Sequence, residues 1–263
     1  YEIASCLVGS EMCIRDRIII MKKRFDSILV EKNFFNSRTK SQVHILAGEV
    51  YVDGVRETKP SKLIDEDAVI NLKLISDKYV SRSGEKLSSA INKFEIKVHS
   101  KICLDIGAST GGFTECLLKN RAKKVYSVDV GYGQLDYKLR NNNKVINIEK
   151  KNARYLTKNE IPDEVDLIVM DVSFISITKF SNFFKEFSCN NLEYIGLIKP
   201  QFELMKDKID KGGIVKNEKY RKEAVLNVKG FLRNHFNKIS EPFESPIKGS
   251  KGNQESLIYC SNL

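Results

Sequence analysis

The sequence predicts an α/β fold, a mostly parallel sheet with helices on both faces, preceded by a small α+β unit. Three observations predict it. Short apolar runs alternate with helical ones from residue 101 onward, in "KICLDIGAS", "GGFTECLLKN", "KVYSVDV", "VDLIVMDVSFIS" and "LEYIGLIKP". Runs that are apolar throughout belong to strands buried on both faces, hence to parallel sheets covered by helices. A glycine-rich turn joins the first of these strands to the next helix, and residues 21–75 keep a different rhythm, two helical stripes followed by alternating strands.

Positions 1–20, "YEIASCLVGSEMCIRDRIII", precede "MKKRFDSILVEKNFF", which reads as an ordinary start at Met21. A secretory signal runs from basic to apolar to small residues. Here Glu2 leads, and Glu11, Arg15, Asp16 and Arg17 break the apolar stretch. "LVGSEMCIRDR" resembles the conceptual translation of a sequencing adapter, so the leader is read as an artefact, expected to be poorly ordered and carrying Cys6 and Cys13 with it.

The 263 residues, 41% hydrophobic and 30% charged, suit a soluble protein of one large or two unequal domains. The sequence holds no apolar run of about 18 residues, so no membrane span is expected. With 44 basic against 34 acidic residues the net charge is +10, which favours a polyanionic partner, nucleic acid ahead of a membrane surface. A merely lysine-rich surface is the bland alternative. Cys103, Cys116, Cys189 and Cys260 are scattered without a CxxC pair. That points to neither a metal site nor a disulfide framework, and suits the cytoplasm.

In the small unit, Phe25, Ile28 and Leu29 mark one helix, and Ser37 caps a second that carries Val43, Leu46 and Ala47 up to Gly48. Val50 and Val52 alternate into Asp53-Gly54, a hairpin turn, and Ile70, Leu72 and Leu74 alternate in a later strand. Through "SRTKSQVHILAGEVYVDG" this stretch resembles the S4 RNA-binding domain. The resemblance implies a helix face docked on structured RNA, with Arg38 and Lys40 as phosphate contacts. Such contacts position without reading sequence; a solvated helix face is the alternative.

A polar linker is expected over 76–84, and the second domain over 85–263. It opens with a helix whose Leu87, Ala90, Ile91 and Phe94 recur at i, i+3, i+4 and i+7. In "CLDIGASTGGFTE" a buried strand meets a turn with Gly107, Gly111 and Gly112, placed where open α/β sheets bind ligands. It is not GxGxxG. It resembles instead the S-adenosylmethionine turn of class I methyltransferases, which are Rossmann-like with a seven-stranded sheet. That likeness implies cofactor contacts along Gly107, Ala108, Ser109, Gly111 and Gly112, with Asp105 beside the cofactor's ammonium. About twenty residues on, Asp129 ends the second strand, where a carboxylate accepts ribose hydroxyls; a helix cap or turn is the alternative. Asn152, near the end of the third strand, is expected to border the adenine.

Asp171 ends "DLIVMD" and Lys199 ends "YIGLIK", just before Pro200, so both are expected in one crevice above the carboxyl ends of the strands. An ion pair tying two loops together is the other reading. A lysine serves as a base only when part of it is neutral, which a second cation or desolvation promotes; Lys86 is placed to be that cation.

Taken in order, "KYVSRSGEKL", "LDIGASTGGFTE", "VDVGYGQLDYKLR", "DVSFIS", "LIKPQFE" and "KGNQESL" resemble the TlyA family of ribosomal RNA 2′-O-methyltransferases, also called haemolysin A. The resemblance implies S-adenosylmethionine as cofactor and cytidine ribose in ribosomal RNA, or ribosomal subunits, as substrate. It also implies a Lys-Asp-Lys-Glu tetrad, shared with FtsJ-type enzymes, on Lys86, Asp171, Lys199 and Glu255. Glu255 comes from the resemblance alone. The chain stops soon after its last strand, as in shorter members, which favours 23S rRNA over 16S. A non-enzymatic RNA-binding protein and a pore-forming haemolysin are the competing readings.

Overall fold

The computed structural model describes residues 22–46, 48–72 and 79–262. The adapter-like leader, Ala47, Leu74 and the first part of the linker lie outside them.

The small unit holds β1 (Lys22–Arg24), α1 (Phe25–Glu31), α2 (Arg38–Leu46), β2 (Val50–Val52), β3 (Val55–Arg56), β4 (Leu63–Asp65) and β5 (Ile70–Leu72). β1 pairs with β4, and β2 lies between β3 and β5, all antiparallel. Phe25, Ile28 and Leu29 of α1 close on Ile45, Val50 and Ile64. α2 turns Ser41 and Ile45 inward, while Val43 and Leu46 are only half-buried. Ser41 can go inside because its hydroxyl bonds back to the Ser37 carbonyl at 3.2 Å. Ser37 caps α2 by accepting from the Lys40 N–H at 3.3 Å. At the hairpin, Asp53 and Gly54 both take positive φ, 51° and 79°, as a type I′ turn needs.

The large unit continues with α3 (Ser83–Lys93), β6 (Ile102–Ile106), α4 (Gly112–Lys119), β7 (Lys124–Val128), α5 (Tyr137–Arg140), β8 (Val145–Ile148), β9 (Leu167–Met170), α6 (Ser181–Glu186), β10 (Glu193–Ile198), α7 (Pro200–Glu203), α8 (Glu218–Leu232), β11 (Lys238–Ile239), β12 (Phe243–Glu244) and β13 (Ser256–Ser261). The expected linker ends early, since α3 already begins at Ser83.

Its sheet runs β11-β13-β10-β9-β6-β7-β8, with β12 also on β13, eight strands where seven were expected. The extra strand is a broken edge. β11 pairs with Cys260 and Ser261, β12 with Ser256 and Leu257, so the two share one sheet position. Between them stands Pro242, which has no N–H for the ladder. β6 to β10 are parallel, and β13 enters antiparallel between β10 and this edge.

Alternation along the strands separates two apolar layers. Leu104, Ile106, Ile168 and Met170 pack with Phe183 and Phe184 of α6 and Val228 and Leu232 of α8. Cys103, Val125, Val169 and Leu197 pack with Leu87 of α3 and Phe113 and Leu117 of α4. Parallel strands all end at the same rim, so the loops after β6, β7, β9 and β10 emerge side by side. This is the crevice where open α/β sheets take ligands.

Candidate active site

Two cavities open along that rim. One, of about 460 Å³, is lined by Asp129, Gln134, Asn152 and Phe180. The other, of about 520 Å³, is lined by Lys86, Asp171, Lys199 and Glu255. They share a wall of Gly107, Ser109, Asp171, Ser173 and Phe174. A ligand in the first thus abuts the lysines of the second.

The turn after β6 divides the roles expected of it. Gly107 has φ +83°, and a Cβ there would meet the Asp171 carbonyl oxygen at 2.6 Å, so glycine lets the β6 and β9 loops close on each other. Gly107, Ala108 and Ser109 line the lysine cavity, and Gly107 and Ser109 the other as well. Gly111 and Gly112 line neither; the room their missing side chains leave is taken by Leu139 and by Ser81 and Ser83. Gly112 is where α4 begins against the start of α3, which explains the small residues of "SRSG".

Asp105 also stands apart from the cavities, with one oxygen, Oδ1, buried and without a hydrogen-bond partner among the described residues. The pleat turns it to the α3/α4 side, where it is fully buried and accepts from Thr114 Oγ1 at 2.7 Å, with Ser127 Oγ 2.7 Å beyond. It lines neither cavity. Burial, against the Thr114 hydrogen bond, pushes its carboxyl up to about 7, with the charge on Asp171 adding to the rise.

Asp129 stands just past β7. Its Oδ2 accepts from the Ser109 N–H at 2.9 Å and its Oδ1 from the Gly131 N–H at 2.7 Å. A carboxylate has about four acceptor sites, so two remain for ligand hydroxyls. Asn152 lines the same cavity, its Oδ1 accepting from the Arg154 N–H at 3.1 Å.

In the second cavity each lysine has its own carboxylate. Lys86 Nζ lies 2.6 Å from Glu255 Oε2, and Lys199 Nζ 2.6 Å from Asp171 Oδ1. Lys86 does not present a free charge to Lys199; it is neutralised by a glutamate from the other end of the chain. Charges so buried persist only when paired. Lys248 and Lys251, exposed on the rim, have no ion pair among the described residues, so the mouth is cationic.

Of the two candidates on the small unit, Lys40 is exposed on α2. Arg38 is half-exposed, and its Nη2 lies 3.1 Å from Asp26 Oδ2. That buried carboxylate also takes Arg24 and Gln42, at 2.9 and 2.7 Å. Arg38 is therefore oriented by the fold, and its other donors have no partner among the described residues. Hydrogen bonding from Arg24 leads the causes that hold Asp26 well below the usual carboxylate range.

Sequence reasoning missed three residues here. Ser173 donates nothing to a core, yet sits 2.8 Å from Lys199 Nζ. Phe174 is 89% exposed at φ +66°, a large apolar ring held in an unfavourable backbone on the wall between the cavities. Gly249 leaves room for Glu255, whose Oε1 would be 2.3 Å from a Cβ. The motifs containing Ser173 and Phe174 were visible, but period and burial patterns are silent on side chains that leave the core.

Comparison with known proteins fits this geometry. The FtsJ-like methyltransferase family matches residues 79–262, and the S4 domain family residues 23–70. Hemolysin A of Brachyspira hyodysenteriae is 48% identical over 242 residues, 90% of this chain and 98% of that one. The 16S/23S rRNA (cytidine-2′-O)-methyltransferase TlyA of Mycobacterium tuberculosis is 36% identical over 239 residues, 90% of this chain and 89% of that one. The 23S rRNA (cytidine-2′-O)-methyltransferase TlyA of Campylobacter jejuni is 32% identical over 250 residues, 95% and 91% of the two chains. With an S4 domain ahead of an FtsJ-like methyltransferase domain, and relatives matched over nearly their whole lengths, the chain belongs to the TlyA family, which also goes by the name hemolysin A.

Proposed function

We propose that this protein methylates the ribose 2′-hydroxyl of a cytidine in ribosomal RNA, with S-adenosylmethionine as methyl donor. The observation that carries the proposal is the pair of adjoining cavities, one with Asp129 and Asn152, the other with two lysine-carboxylate pairs, Lys86–Glu255 buried and Lys199–Asp171 partly so. Every TlyA relative bears 23S rRNA in its name, whereas that of Campylobacter jejuni does not bear 16S, so 23S rRNA is the proposed substrate.

The residues fit the cofactor. Asp129 keeps acceptor sites for two ribose hydroxyls, Asn152 borders the same space, and Gly107 opens the wall toward Asp171. When bound, S-adenosylmethionine supplies an electrophilic methyl whose former bonding pair stays on sulfur. Lys199 takes the proton of the 2′-hydroxyl: the O–H bond breaks, an N–H bond forms, and the oxygen pair is free to make the new C–O bond. Asp171 orients Lys199 and balances the ammonium that results. Lys86, held by Glu255, places its remaining donors in the same cavity, where they steady the developing oxygen charge. Because the displacement is in line, alignment between the cavities supplies much of the rate. Lys40, Arg38, Lys248 and Lys251 take RNA phosphates.

The test is transfer of labelled methyl to large ribosomal subunits from cells lacking the gene. Wild type transfers; Lys199→Ala does not, while binding the cofactor in calorimetry like wild type. A wild type that binds no cofactor overturns the proposal. Lysis of dye-loaded vesicles without methyl transfer would instead favour the membrane activity suggested by the name hemolysin.

A further inference from the structure

Two of the motifs hold more than the aspartate and lysine used so far. "DVSFIS" and "LIKPQFE" face each other across the rim and, besides the Asp171–Lys199 pair, are fastened at three points. Lys199 Nζ donates to Ser173 Oγ at 2.8 Å. The rings of Phe174 and Phe202 lie 5.3 Å apart. Glu203 accepts from the Ile177 N–H at 3.0 Å and from the Ser176 hydroxyl, so α7 grips the turn after β9 from behind. Glu203 is mostly buried, and burial raises its carboxyl above the usual range. Ser173 itself is exposed on the wall shared by both cavities, so no packing requirement explains its place.

The geometry at Lys199 gives that place a use. An amine nitrogen has four tetrahedral directions, one of them taken by Cε. Ser173 Oγ, at 2.8 Å, takes one more by hydrogen bond, whereas Asp171 Oδ1, 2.6 Å away, is an ion-pair partner outside hydrogen-bonding geometry. The Ser173 hydrogen bond therefore fixes the rotation of the amine about Cε–Nζ. Of the two directions left in the neutral amine, the hydrogen is drawn to the side of the Asp171 charge and the lone pair takes the other. After proton transfer that direction holds the new N–H. Without Ser173 the amine turns about Cε–Nζ, and the lone pair is misaligned in part of the population.

We propose that Ser173, set in place by the Glu203 clamp, is a positioning residue that aims the lone pair of Lys199 at the substrate hydroxyl. The proposal rests on Lys199 being the base. Its signature is a loss in turnover without a loss in binding, because Ser173 shapes only the step in which the proton moves.

The experiment measures kcat and KM for methyl transfer from labelled S-adenosylmethionine to large ribosomal subunits, with cofactor affinity by calorimetry, for wild type, Ser173→Ala, Ser173→Thr and Lys199→Ala. Ser173→Ala is expected to lower kcat about tenfold or more, in the range that misalignment costs, with both KM values and cofactor affinity within twofold of wild type. Ser173→Thr, which keeps the hydroxyl, is expected to recover most of the rate. Wild-type turnover in Ser173→Ala overturns the proposal, as does a loss confined to KM or cofactor binding, or a threonine variant as slow as the alanine one. Where wild type transfers and Lys199→Ala does not, any such result removes Ser173 alone. Lys199→Ala at wild-type rate removes the base assignment and this proposal with it.

Discussion

Lys86 and Glu255 stand 169 positions apart in the chain, and their side chains meet at 2.6 Å inside the large unit. The contact joins α3, the first helix of that unit, to the residue just before β13, its last strand. Both side chains are about nine-tenths buried or more, 10% and 3% exposed. Removing one partner therefore strands a charge. Glu255→Ala is expected to destabilise the protein by about 3 kcal/mol or more and to end methyl transfer. Replacing both, Lys86→Met with Glu255→Leu, is expected to recover stability but not transfer. Denaturant unfolding and the transfer assay separate the two effects; a double variant that regains activity would show the pair to be structural only.

Gly249 sets the place of that glutamate. Gly249→Ala puts a methyl where Glu255 Oε1 now lies, 2.3 Å from the ideal Cβ, and a buried carboxylate has little room to retreat. Transfer is expected to drop about tenfold with cofactor affinity unchanged. Wild-type turnover would show that the glutamate has more freedom than its burial suggests.

Asp105 makes stability depend on pH. Its carboxyl titrates near 7 in the folded chain against an ordinary 3.8, so between those values the native state holds a proton that the unfolded state has lost. Stability from this group is complete below about pH 4 and is lost as pH rises toward 7. Asp105→Asn cannot ionise, so its stability relative to wild type is expected to be better at pH 8 than at pH 5. An equal difference at both pH values, from urea unfolding, would contradict the shift.

Asp26 has the opposite sign. Its carboxyl is held low by Arg24, Gln42 and Arg38, so its contribution is present above about pH 4 and fades as the solution is acidified. Asp26→Asn is expected to weaken the small unit at pH 7, nearly as much at pH 4, and less only as the pH falls to 3 and below. Amide exchange over residues 22–72 reads this directly; equal protection in both proteins at pH 7 would refute it.

The RNA face is tested with Lys40→Ala and Arg38→Ala together. RNA binding is expected to weaken, and the slope of log affinity against log salt to become shallower by one to two units, roughly one for each phosphate that no longer meets a cation. Lys40→Ala alone should leave amide exchange in the small unit as it is, whereas Arg38→Ala also removes a partner of Asp26. An unchanged salt slope would place the RNA elsewhere.

What the sequence made legible follows a physical boundary. The parallel sheet could be read because β6, β7, β9 and β10 carry unbroken apolar runs, and Asp129, Asp171 and Lys199 because each directly follows such a strand. The surroundings of Asp105 were not legible: the pleat sends its side chain to Thr114 and Ser127, partners that lie on a helix and on a neighbouring strand. Glu255 left no trace in spacing, since its partner is at the other end of the unit. Ser173 and Glu203 were hidden for the same reason, each acting across two loops that are adjacent only in space. The broken sheet edge at Pro242 was equally a matter of pairing that no local pattern records.

The most direct test of the central claim is a map of ribose 2′-O-methylation across ribosomal RNA from cells with the gene intact, deleted, and restored as wild type or as Lys199→Ala. A cytidine in 23S rRNA should be methylated with the intact gene, unmethylated in the deletion, and methylated again only when the wild-type gene is returned. Identical maps in all four strains would contradict it.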